Sequence, residues 1–250
     1  MRPISIFVAL VGAGTVVSAA SAADLPAKAP IAPVPVVAPY NWTGIYVAGA
    51  VGYQWAKVHD IAPGSGFITD STVRSGLVSG IIGAQYQFNI LPMGGLVLGA
   101  EVAANHAVRN NSSDNFGFCA NPAFKCGLRR LDNLTTVGGR LGWAYDRWLL
   151  TVSGGWARAE FERTDYLIAT GVFGGGGGNS NFAHNGSYVG GGLEYMIYSD
   201  KLTDIMVGVD YQHLWLRSRN DVDANGVIHT LDATDDIVRG RLTVKLNPWR

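Results

Sequence analysis

No stretch beyond residue 20 offers the ~20 consecutive apolar residues that a membrane-spanning helix requires. Charge is scarce too: Asp, Glu, Lys and Arg make up 15% of the chain, against about 25% in an ordinary soluble domain. The 19 basic and 19 acidic residues cancel, and no basic stripe is visible, which argues against nucleic acid as a partner. The two cysteines have no second Cys or His pair nearby to complete a metal site. What the chain does have is glycine, 33 residues of it, with seven tryptophans and ten tyrosines. Low charge, high glycine, many aromatics and no hydrophobic 20-mer together point to many short strands.

The first residues read as an address. Arg2 supplies a positive start, Ile4 to Val17 a mostly apolar segment, and Ala20-Ser21-Ala22 a small-residue cleavage site. Residues 1–22 are therefore expected to be a signal peptide, cut after Ala22 or Ala23. Five of the ten prolines fall in residues 24–40. That composition favours an extended polyproline-II spacer and cannot join a sheet ladder. Residues 23–40 are expected as a linker, and 41–250 as the folded domain.

From Asn41 onward the dominant period is two. Ile45, Val47, Val51, Tyr53 and Trp55 fall on one face, opposite Tyr46, Ala48, Ala50, Gly52 and Gln54. Val78, Ile82, Ala84, Tyr86 and Phe88 oppose Ser79, Gly83, Gln85 and Gln87. Leu96, Leu98, Ala100 and Val102 oppose Gly99, Glu101 and Asn105. Around the Asp146-Arg147 hinge, Val137, Leu141, Trp143 and Tyr145 oppose Thr136, Gly138, Arg140 and Gly142. Leu150, Val152 and Trp156 then oppose Thr151, Ser153 and Gly155. Three further runs, centred on Leu193, Val209 and Leu242, place Glu194, Asp210, Arg239 and Arg241 on their polar faces. Eight strands result, each long enough for the ~9–11 residues that cross a bilayer at a tilt.

Both faces need a home. The polar face is dominated by Gly, Ala, Ser and Thr, while the apolar face repeatedly ends in Tyr, Trp or Phe. That is apolar outward to lipid, small and polar inward, with aromatic girdles at the interfaces. Backbone groups in hydrocarbon must be satisfied internally, so the sheet must close. Connections alternate between short (89–94, 146–147, 198–203) and long (57–75, 107–132, 162–186, 217–235), as periplasmic turns alternate with external loops. The expected fold is all-β: an eight-stranded, up-and-down antiparallel transmembrane β-barrel in the outer membrane.

The inward charges form a pattern. Glu101, Arg140, Glu194, Asp210, Arg239 and Arg241 lie about 4–8 residues up from the nearest short turn or the carboxyl end, one band at ~3.3 Å per residue. An eight-stranded barrel is just wide enough for side chains to fill it. Three carboxylates and three guanidiniums there are expected to neutralise one another as a polar plug; a narrow charged pore is the other reading.

Several segments carry a resemblance: "ADLP" (23–26), "NWTGIYVAGAVGY" (41–53), "GGRLGWAYDRWLL" (138–150), "GGGLEYMI" (190–197) and "IVRGRLTVKLN" (237–247). In these the chain resembles the small β-barrel outer-membrane proteins of alphaproteobacteria, which include major surface proteins of Brucella and haemin-binding proteins of Bartonella. The resemblance implies a porin-like or structural barrel, with haemin binding in some members. Such barrels usually end on an aromatic residue read by the assembly machinery, whereas this chain ends "LNPWR". The partners expected are outer-membrane lipid and lipopolysaccharide and the barrel-assembly machinery, with haemin or a host ligand as an alternative at the long loops.

Loop chemistry adds further expectations. Cys119 and Cys126, in an exported chain, are expected to form a disulfide. "GGGGG" (174–178) lacks the Gly-Lys-Ser/Thr of a phosphate loop and reads as a tether. "DVDANGVIHTLD" (221–232) sets Asp221, Asp223, Asn225, Gly226 and Asp232 at the spacing of a Ca²⁺ loop, although its flanks read as strands. An acidic Asn-Gly turn is the plainer reading. His59, His106, His184 and His229 fall in the long connections or at their edge, where haem iron and plain solvation compete for them. His213 shares the lipid face with Tyr211 and Trp215 as an interfacial residue. No His-x-Ser pair of the kind used by lipid-modifying barrels occurs, so no enzyme is expected.

Overall fold

The computed structural model describes residues 40–62, 67–91, 94–109, 117–118, 124–170, 172–173, 180–222 and 228–246. All of them lie in one compact unit, Ala38–Arg250. Eight long strands account for most of it: β1 (Gly44–Ala62), β2 (Phe67–Leu91), β3 (Gly94–Arg109), β5 (Phe124–Tyr145), β6 (Trp148–Leu167), β8 (Ser180–Ser199), β9 (Thr203–Val222) and β10 (Ile228–Leu246). Two further strands, β4 (Gly117–Phe118) and β7 (Val172–Phe173), each add two residues beside β5 and β6.

Each long strand pairs antiparallel with the next along the chain, and the ring closes where β1 meets β10, from Ile45 opposite Leu246 to Ile61 opposite Thr230. This is the expected eight-stranded, up-and-down barrel. At the β5–β6 turn Asp146 takes a left-handed backbone (φ 48°), which Asp tolerates better than most side chains. Trp42 Nε1 donates to the Asp146 carbonyl at 3.2 Å and fixes the turn from inside the barrel.

The strands are longer than the sequence pattern implies. They run 16 to 25 residues, so most of 57–75, 107–132, 162–186 and 217–235 is hairpin ladder rather than loop. The physical reason is a phase change. Near the short turns the apolar residues point out: Val51 and Leu150 are 67% and 60% exposed. Further along the same strands the apolar residues point in, with Ala56, Val58, Ala157, Phe161, Leu214 and Leu216 buried. Polar Lys57, Arg158 and Arg217 then face outward. The wall changes from membrane dressing to soluble dressing without interrupting the ladder.

Inside, neighbouring strands mesh large against small. Tyr46 stands opposite Gly83, and a Cβ on Gly83 would come within 2.3 Å of the Tyr46 ring. Gly138 makes the same room for the Tyr188 hydroxyl, 2.4 Å from where its Cβ would be. Gly49, by contrast, faces outward with nothing within 4 Å. Gly83→Ala is therefore expected to cost about 1–3 kcal/mol through overpacking, while Gly49→Ala leaves stability nearly unchanged. The midpoint of loss of the heat-modifiable gel band compares the two, and equal midpoints would contradict the packing described.

Candidate functional site: the filled interior

The interior is filled in three levels, starting at the short-turn end. There the chain enters the barrel through Tyr40 and Trp42, which are 6% and 0% exposed and pack edge to face with ring centroids 5.0 Å apart. Tyr40, expected in the linker, thus belongs to the folded domain. Trp42 is held at its backbone: its N–H donates to Gln87 Oε1 at 2.8 Å, and its carbonyl accepts from Gln85 Nε2 at 2.8 Å. Val97, Ala144, Leu149, Met196 and Met206 close around the two rings. Lys245 Nζ binds the Asn41 carbonyl and lies 3.1 Å from Asp204 Oδ2, which also accepts from the Tyr40 hydroxyl at 2.7 Å.

The middle level holds the six charges. Arg140, on β5, pairs with Glu194 on β8 and reaches Glu101 on β3 at 3.5 Å. Arg241, on β10, reaches Glu101 at 3.1 Å and Glu194 at 3.9 Å. Tyr46 is the hub between them. Its hydroxyl donates to Glu101 Oε2 at 2.9 Å and accepts from Arg140 Nη1 at 2.9 Å. Its ring lies 5.5 and 5.8 Å from the Arg140 and Arg241 guanidinium carbons. Arg239 and Asp210 form a separate pair one step away, through Nε at 2.9 Å and Nη2 at 2.7 Å. Arg239 Nη1 also donates to Asn105 Oδ1 at 2.6 Å.

These charges are partnered because they must be: Arg140, Glu194, Arg239 and Arg241 are 5%, 3%, 0% and 6% exposed. Removing one member of such a group strands its partner's charge in a medium that cannot solvate it. Sequence pattern marks the six charged positions but not their organiser. Tyr46 is legible only as an inward aromatic, and the signal that singles it out is the glycine in register with it on β2.

The third level is the apolar core of the hairpin extensions, and it contains one misfit. Asp235 is 0% exposed beside Ala56 and Leu214, its register neighbours, and neither of its oxygens meets a hydrogen-bond donor. On β10 the lipid-facing apolar run ends at Val238 and the next outward residue is Asp236, so Asp235 lies beyond the membrane span. Burial, aided by the neighbouring charge of Asp236, pushes its carboxyl up to about 8.

The histidines do not sit in loops as expected. His59 and His106 lie on β1 and β3, and His229 on β10. His184 on β8 is 2% exposed, with Nδ1 3.1 Å from the Arg217 carbonyl and its ring edge-on to Phe161 and Phe182. None of the four has another histidine as a cross-strand partner. His213 does face outward, where its Nδ1 lies 2.6 Å from Asp236 Oδ1. Among the described residues no group of three His, Cys, Asp or Glu is placed to hold a metal. Cys119, residues 223–227 of the Ca²⁺-like segment, the 174–178 glycines and the carboxyl-terminal 247–250 lie outside the described residues, and for Cys126 only the backbone is described.

Two outcomes follow. Arg140→Ala is expected to lower unfolding free energy by about 3–5 kcal/mol, because buried Glu194 loses its nearest cation and keeps only Arg241 at 3.9 Å; a loss of unfolding free energy below a third of that in urea titration would contradict the coupling. For Asp235 the unfolded chain ionises near 3.8 and the folded chain near 8. Its contribution to stability is thus intact below the lower value and lost as pH rises through the upper one. Asp235→Asn should flatten the fall in unfolding temperature between about pH 4 and 8, and parallel profiles for the two proteins would refute this.

Residues 10–234 match the family described as the outer membrane protein beta-barrel domain. Among solved structures the chain is similar to Neisserial surface protein A, at 14% identity over 81% of this chain and 97% of that one, with a TM-score of 0.34. It is similar to Ail, the attachment invasion locus protein of Yersinia pestis, at 9% identity over 80% and 99%, TM-score 0.33. The outer membrane protease OmpT of Escherichia coli matches at 9% identity over 82% and 97%, TM-score 0.38. None of these likenesses bears on function. No curated protein matches the chain.

Proposed function

The chain belongs to the outer membrane protein beta-barrel domain family, and from that premise we propose that it serves the envelope as a closed structural barrel rather than as an open pore. The observation that carries this reading is the middle level, where Arg140 and Arg241 close on Glu101 and Glu194 around Tyr46. A pore needs a continuous polar path. Here the polar groups are spent on one another, and bulky apolar side chains close the lumen on either side, with Trp42 below and Leu134, Phe161 and Ile237 above. Charge rings that conduct leave their charges facing water; these do not.

The motifs shared with the alphaproteobacterial surface barrels support grouping the chain with them. Lipopolysaccharide and the assembly machinery are its proposed partners. Binding of haemin or a host ligand at the long hairpins is the second reading, and nothing in the histidine placement favours it. The same holds for an enzyme: the inward carboxylates all face guanidiniums apart from Asp204, which faces Lys245, and Asp235.

Planar-bilayer recording of the purified monomer tests the proposal. We expect no steady conductance, and at most brief openings. A steady, large conductance from the monomer would overturn the closed-barrel reading.

A further inference from the structure

The outer wall above the membrane span is not uniform. On β2, β1, β10 and β9, three rows of outward side chains cross the strands in register. The lowest holds Arg74, Trp55, Asp236 and His213, the next Thr72, Lys57, Thr234 and Trp215, and the highest Asp70, His59 and Asp232. On the opposite wall the corresponding outward positions carry Asn133, Thr135, Arg158, Ser187 and Asn185, and Trp156 in register with Ser187.

The upper two rows border a groove of about 420 Å³, lined among others by Lys57, Asp70, Thr72, Trp215, Asp232 and Thr234. A β-bulge helps to shape it. Leu231 faces Arg219 and Ala233 faces Leu216, so two residues of β9, Arg217 and Ser218, stand against Asp232 alone. Bulges commonly re-aim side chains at sites of this kind. Trp215 is 47% exposed, and the His213 ring packs edge-on against it with centroids 4.5 Å apart. His213 is itself held by Asp236, so the plane of the indole is set from below.

The contents of the groove define its ligand. A flat apolar face suits the C–H face of a pyranose ring. Carboxylates, hydroxyls and one ammonium around it suit the ring's hydroxyls. Two carboxylates, Asp70 and Asp232, against one lysine disfavour a phosphate. A groove of this volume holds one or two sugar rings and falls far short of a protein interface. Its height names the source. Lys57 lies four residues beyond Tyr53 in the girdle, about 13 Å along the strand at ~3.3 Å per residue, where the saccharides of the outer leaflet begin.

We propose that this groove binds a neutral sugar unit of the surrounding lipopolysaccharide, with Trp215 as the stacking platform and Asp70, Asp232 and Lys57 as hydroxyl partners. The site lies on the outer wall and is independent of whether the lumen conducts. His59, whose Nδ1 is 2.5 Å from Asp70 Oδ1, holds that carboxylate toward the groove.

The test is a titration of the folded full chain in detergent micelles with delipidated core oligosaccharide, released from rough lipopolysaccharide by mild acid. Maltotriose and inorganic phosphate serve as the comparison probes. Saturable binding of the oligosaccharide is expected, weakened at least about tenfold (~1.4 kcal/mol) by Trp215→Ala. Trp156→Ala, on the far wall, should leave it unchanged. If Trp215→Ala loses its heat-modifiable band, Asp232→Asn addresses the same groove from β10 and is expected to weaken binding severalfold. No binding by the native chain, equal binding of maltotriose, preference for phosphate, or indifference to both groove variants would overturn the assignment.

Discussion

Hydrocarbon offers no hydrogen-bond partner to a peptide group, and the rest of this structure depends on meeting that constraint. Seven antiparallel pairings run between strands that follow one another along the chain and still leave two bare edges. The eighth, β1 against β10, removes both. Closure at eight strands then fixes a narrow interior, and a narrow interior must be packed with side chains. The glycines opposite Tyr46 and beside Tyr188 are consequences of that packing, because a ring lying flat against the inner wall needs the neighbouring strand to carry no Cβ.

The same narrowness decides what the charges do. In a wide barrel an inward arginine meets water. Here Arg140 meets two carboxylates and a tyrosine through its two terminal nitrogens. Such a network contributes modestly to net stability, since desolvation offsets much of the attraction. It does set which strands face one another across the lumen: β5, β3, β8 and β10 each supply one member. Asp235 is the counterexample. It lies in an apolar level with no cation opposite, and its proton takes the place of the partner it lacks.

Much of this was legible in residue order. Period two, the lipid-facing dressing and the alternation of connection lengths specify an eight-stranded barrel, because they express local pleat geometry and the solvent each face meets. The six charged positions were legible for the same reason. The hairpin extensions were not. At Ala56, Ala157 and Leu214 the apolar phase moves from the outer to the inner face, so a reading that follows lipid-facing residues loses the strand where the lipid ends. His184 was misplaced with them, as a loop residue instead of a buried one.

By itself, then, the sequence determined the strand count and the faces, both properties of short windows read against a known solvent. Only the tertiary structure decided which charges pair, that Tyr46 organises them, that Tyr40 and Trp42 fill the short-turn end, and that Trp215 shares a groove with Asp70. These depend on strand register and on contacts across a closed ring, between residues such as Tyr46 and Arg140 that stand 94 positions apart. Register is settled by the whole sheet at once, which is why no window of sequence records it.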